Sequence, residues 1–479
     1  MSASLAQAGG VAGALGLLLL MLGTRRWQRL LGFAGWAAGM GILAAYLAPH
    51  GHRGVLAGAG VVGLLAAAVG AAILVRRPWV LPFVALAALP VRLPVHVGGT
   101  DARLLLPLYA VVAAAALALV WELPTEERQP RELGAVALPL GLLGGWSGLS
   151  ILSTNDLRQA AIELIFFVLP FGLLAVSLAR LQWSRRAIAW LTAELVALAL
   201  VFAAIGIYQW LTRDNFWNPK VIVANAYAPF FRVNSVFYDP SIYGRFLVLA
   251  ILAALVVVIA RPAPRIAAGA TAAIAVIWIG LYYSYSQSSF AALMVGVLIA
   301  AALLWKWRAV VAGAVVGALV LAIALATPSI RHTLGSHTSS SWNKATSGRA
   351  SLVGNGVRIA LDHPVAGVGI AGFKRAYADR LGLRGKEPKA AASHNAPVTV
   401  AAETGIPGLI LLVWLVAEAL LGAFRRAGST FAGRASAAFG IMVAAIVVHS
   451  LFYNALFEDP MFWALLALAA VAARTREAA

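Results

Sequence analysis

The sequence predicts an all-α, polytopic integral membrane protein with 13 to 15 transmembrane helices, 14 or 15 preferred, and a large, partly helical outer loop. Three observations predict it. Of 479 residues, 62% are hydrophobic and only 11% are charged, and the mean hydropathy is +0.86. A soluble chain of this length cannot cover its surface with so little charge. Apolar runs of the roughly 20 residues needed to cross about 30 Å of hydrocarbon recur along the chain. Basic residues gather on alternate connections between those runs, as the positive-inside tendency requires.

Taken in order, the runs lie at 5–23, 30–48, 55–75, 79–96, 104–121, 135–152, 158–179, 187–211, 240–260, 266–284, 286–305, 309–327, 395–423, 435–456 and 460–473. No Lys or Arg precedes the first run, and Arg25 and Arg26 follow it. A cleavable signal has its charge first, so this reads as a retained helix with the N-terminus outside. The fourth run holds Pro82, Pro90, Arg92 and Pro94 and is expected to be broken or re-entrant. The last is short.

Alternate connections carry Arg25, Arg26 and Arg29; Arg76 and Arg77; Arg128 and Arg131; Arg180, Arg185 and Arg186; Arg261 and Arg265; Lys306 and Arg308; Arg425, Arg426 and Arg434; and Arg474 and Arg476. These are 19 of the 37 basic residues, and they make that side, with the C-terminus, cytoplasmic. The opposite set holds two long loops, 212–239 and 328–394, with 13 of the remaining 18. A segment of 67 residues is too long for its charge to set topology, so the cations of 328–394 need another reason.

The organisation expected is an N-terminal bundle at 1–211, an outer aromatic and basic loop at 212–239, helices at 240–327, the large basic loop at 328–394, and C-terminal helices at 395–479. The large loop carries Arg331, Lys344, Arg349, Arg358, Lys374, Arg375, Arg380, Arg384, Lys386 and Lys389 against Asp362, Asp379 and Glu387. It ends at Ser393-His394-Asn395, where the chain returns to lipid. Concentrated positive charge beside one imidazole at a membrane surface points to an anionic, lipid-borne substrate. Inside the loop a helix is expected from Arg349 to Leu361, stopped by Asp362-His363-Pro364, and a second from Phe373 to Leu381. The smaller loop sets Trp217, Tyr227, Phe230, Phe231 and Tyr238 around Arg232; aromatics there are ordinary interface anchors, and they also suit a sugar- or prenyl-facing wall.

Several patterns mislead. Gly367, Gly369 and Gly372 spell G-x-G-x-x-G, with Glu387 20 residues past the first glycine, but no strand precedes them as a dinucleotide site requires. His50 and His52 lack a third ligand, and the chain has no cysteine. Neither cofactor nor metal is expected.

At three places the chain resembles the O-antigen ligase and O-antigen polymerase family of bacterial membrane glycosyltransferases. The first is Arg232-Val-Asn-Ser-Val-Phe-Tyr-Asp239-Pro-Ser, similar to an arginine, a spacer and D/H-P-N/S before a membrane helix. The second is Gly348-Arg349 followed by Asp362-His363-Pro364 and Gly367-Val-Gly369-Ile-Ala-Gly-Phe373. The third is His394-Asn395 followed by Glu403-Thr-Gly405-Ile-Pro-Gly408. Together they cover roughly residues 230–460. Ser284-Tyr-Ser-Gln287-Ser-Ser departs from the pattern, since many members have arginine where Gln287 stands.

The resemblance implies metal-independent, inverting transfer of a glycan from a polyprenyl (undecaprenyl) diphosphate to an acceptor hydroxyl, on a lipid or a glycan. It implies a bacterial inner membrane and an extracytoplasmic site. His394 would be the base. Arg232 and Arg349 would grip the diphosphate by forked, charge-assisted hydrogen bonds, with Arg375 and Arg245 in reserve. Asn395, Glu403 and Asp239 would support them. Histidine suits the role because its unperturbed pKa of ~6.5 leaves it partly neutral near pH 7. Ser393 is a possible cap for the helix that follows. Glu403 lies nine residues past His394, about 13 Å along an ideal helix and on its far side, so it is expected to bond into a neighbouring helix or the break at Gly405-Ile-Pro-Gly408. The rival reading is a transporter or flippase of lipid-linked sugars, which would place its site at mid-membrane between repeated halves; no repeat is seen. A structural envelope subunit is a third. Sugar, acceptor, ligase against polymerase, and oligomeric state are not legible in the sequence.

Overall fold

The computed structural model describes residues 2–48, 53–97, 100–125, 131–216, 218–228, 230–306, 308, 311, 313–315, 348–383 and 392–472. Outside them lie His50, His52, Arg128, Trp217, Arg331, Lys344, Arg384, Lys386, Glu387, Lys389, Arg474 and Arg476, and most of the run expected at 309–327.

The protein is a membrane protein built almost entirely of helices. Among the described residues ten helical segments are long and apolar enough to cross a bilayer, and three shorter apolar helices accompany them, at Gly60–Arg76, Leu106–Glu122 and Pro460–Ala472. The chain runs α1 (Ala3–Leu22), α2 (Arg26–Leu47), α3 (Arg53–Arg76), α4 (Val80–Ala88), β1 (Leu93–Val97), β2 (Thr100–Leu104), α5 (Leu106–Glu122), α6 (Ala137–Leu149), α7 (Leu157–Glu163) and α8 (Leu169–Arg180). It continues through α9 (Arg185–Thr212), α10 (Pro219–Tyr227), α11 (Pro240–Ile259), α12 (Pro264–Ser284) and α13 (Gln287–Trp305). Then come α14 (Arg349–Asp362), α15 (Phe373–Arg380), α16 (Ala396–Arg425), α17 (Phe431–Ser450) and α18 (Pro460–Ala472).

The fourth expected span is not a span. It is a nine-residue helix, α4, followed by an antiparallel hairpin pairing Leu93 with Leu104 and Val97 with Thr100. Pro90 and Pro94 remove two amide donors and exclude a continuous helix, while Val91, Val95 and Val97 favour extended backbone. This hairpin is the exception to the all-α expectation. The outer loop at 212–239 likewise contains a helix, α10, with Pro219 at its first turn and Asn218 as its cap.

Close helix contact rests on small residues, as expected where lipid offers no hydrophobic drive. A Cβ on Gly39 of α2 would stand 2.4 Å from the Gly13 Cα of α1, so these two backbones nearly touch. Connections assigned to one side by charge meet at one end of the bundle. There Glu132 Oε1 accepts from Arg29 Nη1 at 2.5 Å and Arg180 Nη1 at 3.0 Å, and Arg185 lies 5.2 Å over the Phe431 ring. The long loops meet at the opposite end, called below the loop end.

Candidate functional site

The site is built at the loop end from three segments, two of them within or at the end of the same large loop. The first is 213–239, held by amide side chains. Buried Gln209, near the end of α9, accepts from Ser235 N at 2.7 Å and Asn234 N at 3.2 Å and donates to Ser235 O at 3.0 Å. Asn225 brackets one residue, accepting from Arg232 N at 3.0 Å and donating to Arg232 O at 2.8 Å. Asn215 donates to Asn234 Oδ1 at 3.0 Å and to Arg232 O at 3.2 Å. The backbone of Arg232 is thereby pinned from both sides, and its half-buried guanidinium donates from Nε to Ser284 O at 3.1 Å. Among the described residues neither terminal nitrogen has a protein acceptor. Of the loop's aromatics, Phe230 stacks on Tyr285 with ring centroids 4.7 Å apart, Arg213 lies 5.4 Å over Phe231, and Tyr227 is exposed.

The second segment is 392–396. The cap of α16 is Asn395, not Ser393: Asn395 Oδ1 accepts from Val398 N at 3.1 Å, and Nδ2 donates to Leu451 O at 3.1 Å. Buried Ser393 instead ties the turn, bonding to Thr399 Oγ1 at 2.8 Å and Asn395 O at 2.8 Å. A short polar side chain can serve cap or turn, and here the helix starts two residues later than a cap at Ser393 would place it. Between them His394 is forced to φ 60°, a left-handed conformation that costs a non-glycine residue about 1–2 kcal/mol.

The third segment is the described part of the large loop. Gly348, at φ 82°, turns the chain into α14, whose first residue is the exposed Arg349. Helices α14 and α15 fall where the sequence placed them. They pack over α16 through Ile359, Ala360, Val368, Phe373, Ala401 and Ala402. Burying Phe373 completely is worth roughly 1.5–3 kcal/mol. At the crossing, Val368 N donates to Ala402 O at 2.9 Å and Ile406 N to Pro364 O at 2.8 Å. Those bonds need the break at Gly405, whose φ of 72° and ψ of −175° is open essentially to glycine alone. A Cβ there would also meet Val365 O at 2.4 Å. The G-x-G-x-x-G pattern is thus a packing device: a Cβ on Gly367 would strike Glu403 O at 2.3 Å.

Glu403 does bond into a neighbouring helix. Its Oε1 accepts from Phe373 N at 3.3 Å, and Ala371 N donates to the same carboxylate. The acid therefore caps α15 and secures the turn in which Ala371 adopts φ 58°.

Electrostatics join the three segments. Burial first, and then the positive charge of Arg349, hold the His394 imidazole below its ordinary pKa, with Asp239 pulling the other way. Burial lowers Arg232 too, opposed by Asp239 and reinforced by Arg349. Arg232, Arg349, Asp239 and His394 therefore share one electrostatic neighbourhood. Asp239 also caps α11, accepting from Ser241 N at 2.6 Å.

Two of the expected diphosphate ligands are engaged otherwise. Arg375 Nη1 donates to Asn155 O at 2.6 Å, fastening α15 to the α6–α7 turn. Arg245 is buried; its Nε pairs with Asp459 Oδ2 at 2.9 Å and its Nη1 donates to Ala455 O at 3.2 Å. Gln287, in the place of the family arginine, is exposed in the first turn of α13. Sequence reasoning missed Gln209, Asn215 and Asn225, and missed Ser288, whose Oγ lies 3.0 Å from His449 Nε2 in the buried contact between α13 and α17. It also missed the loop 451–459, which Asn395 binds at Leu451 O and Arg245 at Ala455 O.

A pinned arginine, a second arginine at a helix start and a partly buried, neutral-leaning imidazole can together hold an anion and accept a proton. Among the described residues no three His, Asp or Glu side chains are grouped to hold a metal ion. No curated protein matches the chain. Its segment 272–413, a little under a third of the chain, matches the family model described as O-antigen ligase, and so the resemblance carried by Arg349, the 364–373 turn and His394 lies within the match while the Arg232 motif lies before it. By that segment the protein is similar to the O-antigen ligase family of membrane proteins that transfer glycans.

Proposed function

We propose that the protein is a membrane glycosyltransferase that moves a glycan from a polyprenyl diphosphate to an acceptor hydroxyl, at a site on the extracytoplasmic side of a bacterial inner membrane. What supports the reading is that Arg349 and Asp239 act electrostatically on both Arg232 and His394, which joins residues of the two long loops in one neighbourhood. His394 accepts the proton of the acceptor hydroxyl as its oxygen attacks the anomeric carbon. The bond from that carbon to the phosphate oxygen breaks, and the diphosphate leaves with its electron pair. Arg232 and Arg349 balance the charge that develops on it. Attack opposite the leaving group inverts the anomeric centre. The lowered pKa of His394 keeps the imidazole neutral, and therefore basic in function, near pH 7.

Transfer from a purified polyprenyl-diphosphate-linked glycan, measured in proteoliposomes, tests the reading. His394→Ala is expected to lower the rate by about 10²–10⁴-fold, the usual contribution of a general base. A rate near wild type would remove the assigned base. Glycan movement across the bilayer with no new glycosidic bond would favour transport instead.

A further inference from the structure

At the end of the bundle away from the loops, a groove of about 800 Å³ opens between α4 and the first half of α9. Trp79, Phe83 and Trp190 form its aromatic walls, Ala193 contributes to a small-residue floor, and Arg186 stands in the first turn of α9. The start of α4 lines one side of the groove and the first half of α9 the other.

Two features set it apart from ordinary lipid-facing surface. Its mouth carries a cation: Arg186 lines it in the first turn of α9, Arg76 and Arg77 precede the lining Trp79 in sequence, and residues 76–79 and 184–187 include no acid. Deeper in the groove lies Glu194, whose buried Oε2 has no hydrogen-bond partner among the described residues. Eight residues beyond Arg186, it sits about 12 Å further along the helix, with its side chain leaning back toward the mouth. A carboxyl there, facing hydrocarbon, is expensive unless something in the groove completes its bonding.

We infer that this groove is a binding site for one anionic diacyl phospholipid, its phosphate on Arg186 at the mouth, an acyl chain over Ala193 between Trp79 and Trp190, and an ester group at Glu194. Charge selects the headgroup. The phosphate and the ester carbonyls of a diacyl lipid are separated along its length in the same order as Arg186 and Glu194. A carboxylic acid donates to an ester carbonyl, which a polyprenyl phosphate lacks. The site lies at the opposite end from His394 and is independent of the transfer reaction.

Native mass spectrometry of the full-length protein, delipidated in detergent and titrated with phosphatidylglycerol, phosphatidylcholine and undecaprenyl phosphate, tests the inference. One phosphatidylglycerol is expected to bind at least tenfold more tightly than phosphatidylcholine. Arg186→Gln should cut that preference at least fivefold, and Glu194→Leu should weaken phosphatidylglycerol without restoring phosphatidylcholine. Ala193→Phe, a change at an exposed position, should block the site while leaving the melting temperature of the lipid-free protein unchanged. Equal affinity for the two diacyl lipids, or a preference untouched by Arg186→Gln, would overturn it as ordinary annular lipid. Binding of undecaprenyl phosphate as tight as that of phosphatidylglycerol would overturn the diacyl assignment.

Discussion

Replacing Glu403 separates the part of the large loop that is docked from the part that reacts. Its carboxylate receives Phe373 N at 3.3 Å and also Ala371 N, and these amides have lost their water to the packing of α15 on α16. Removing the acceptor in Glu403→Ala strands two partly buried donors, at about 1–3 kcal/mol each. Ala371 is then left in a left-handed turn with nothing fastening it. The sum, roughly 2–6 kcal/mol, falls on the local docking of 364–383 rather than on the helical bundle. Since 1.4 kcal/mol is tenfold, amide exchange in that segment should speed by at least about tenfold. Glu403→Gln keeps an acceptor oxygen and should restore most of the protection. Hydrogen–deuterium exchange in nanodiscs, read on peptides covering 364–383 and on α11 as control, measures the effect. Unchanged exchange in Glu403→Ala would refute the assignment of Glu403 as the latch. Exchange rising equally in α11 would show that the damage is global.

Other outcomes follow from the same geometry. Arg232→Lys keeps the charge but loses the planar fork and the Nε bond to Ser284 O, so donor KM should rise and transfer should fall, with folding retained as judged by melting temperature. Asn225→Ala should lower transfer without altering any charge, because it frees the backbone N–H of Arg232 and leaves its carbonyl to Asn215 alone; donor titrations would show weaker binding. Gly405→Ala should destabilise by about 1–3 kcal/mol through its backbone conformation, before the clash with Val365 O is counted, and thermal unfolding would read it. The pH profile has a worked sign. With His394 lowered, the acidic limb of kcat/KM should fall below the range of an ordinary histidine. Arg349→Gln removes one cause of that lowering, so the limb should move to higher pH.

Helices were legible because hydrophobic length is a strong signal in a bilayer, and the break at Gly405 and the stop at Pro364 were legible from backbone chemistry. The two surface helices of the large loop were legible for the same reason. The hairpin at 93–104 was not, because its prolines announced a break without saying what followed. Arg232, Arg349 and His394 stood out through charge and motif. Their supports did not. Gln209, Asn215 and Asn225 act through bonds to backbone atoms, which leave no periodic trace and depend on how the chain folds back. Arg245 shows the complementary failure. As an arginine near the end of a span it looked like a phosphate ligand, but its acid, Asp459, lies far away in sequence, and only the packed bundle brings the two to 2.9 Å.

A structure of the protein with a polyprenyl diphosphate bound tests the central claim most directly. The phosphate oxygens should lie within about 2.7–3.2 Å of guanidinium nitrogens of Arg232 and Arg349, with the His394 ring facing the space an acceptor hydroxyl would occupy. A diphosphate resting away from all three, or held by Arg245 and Arg375 instead, would contradict it.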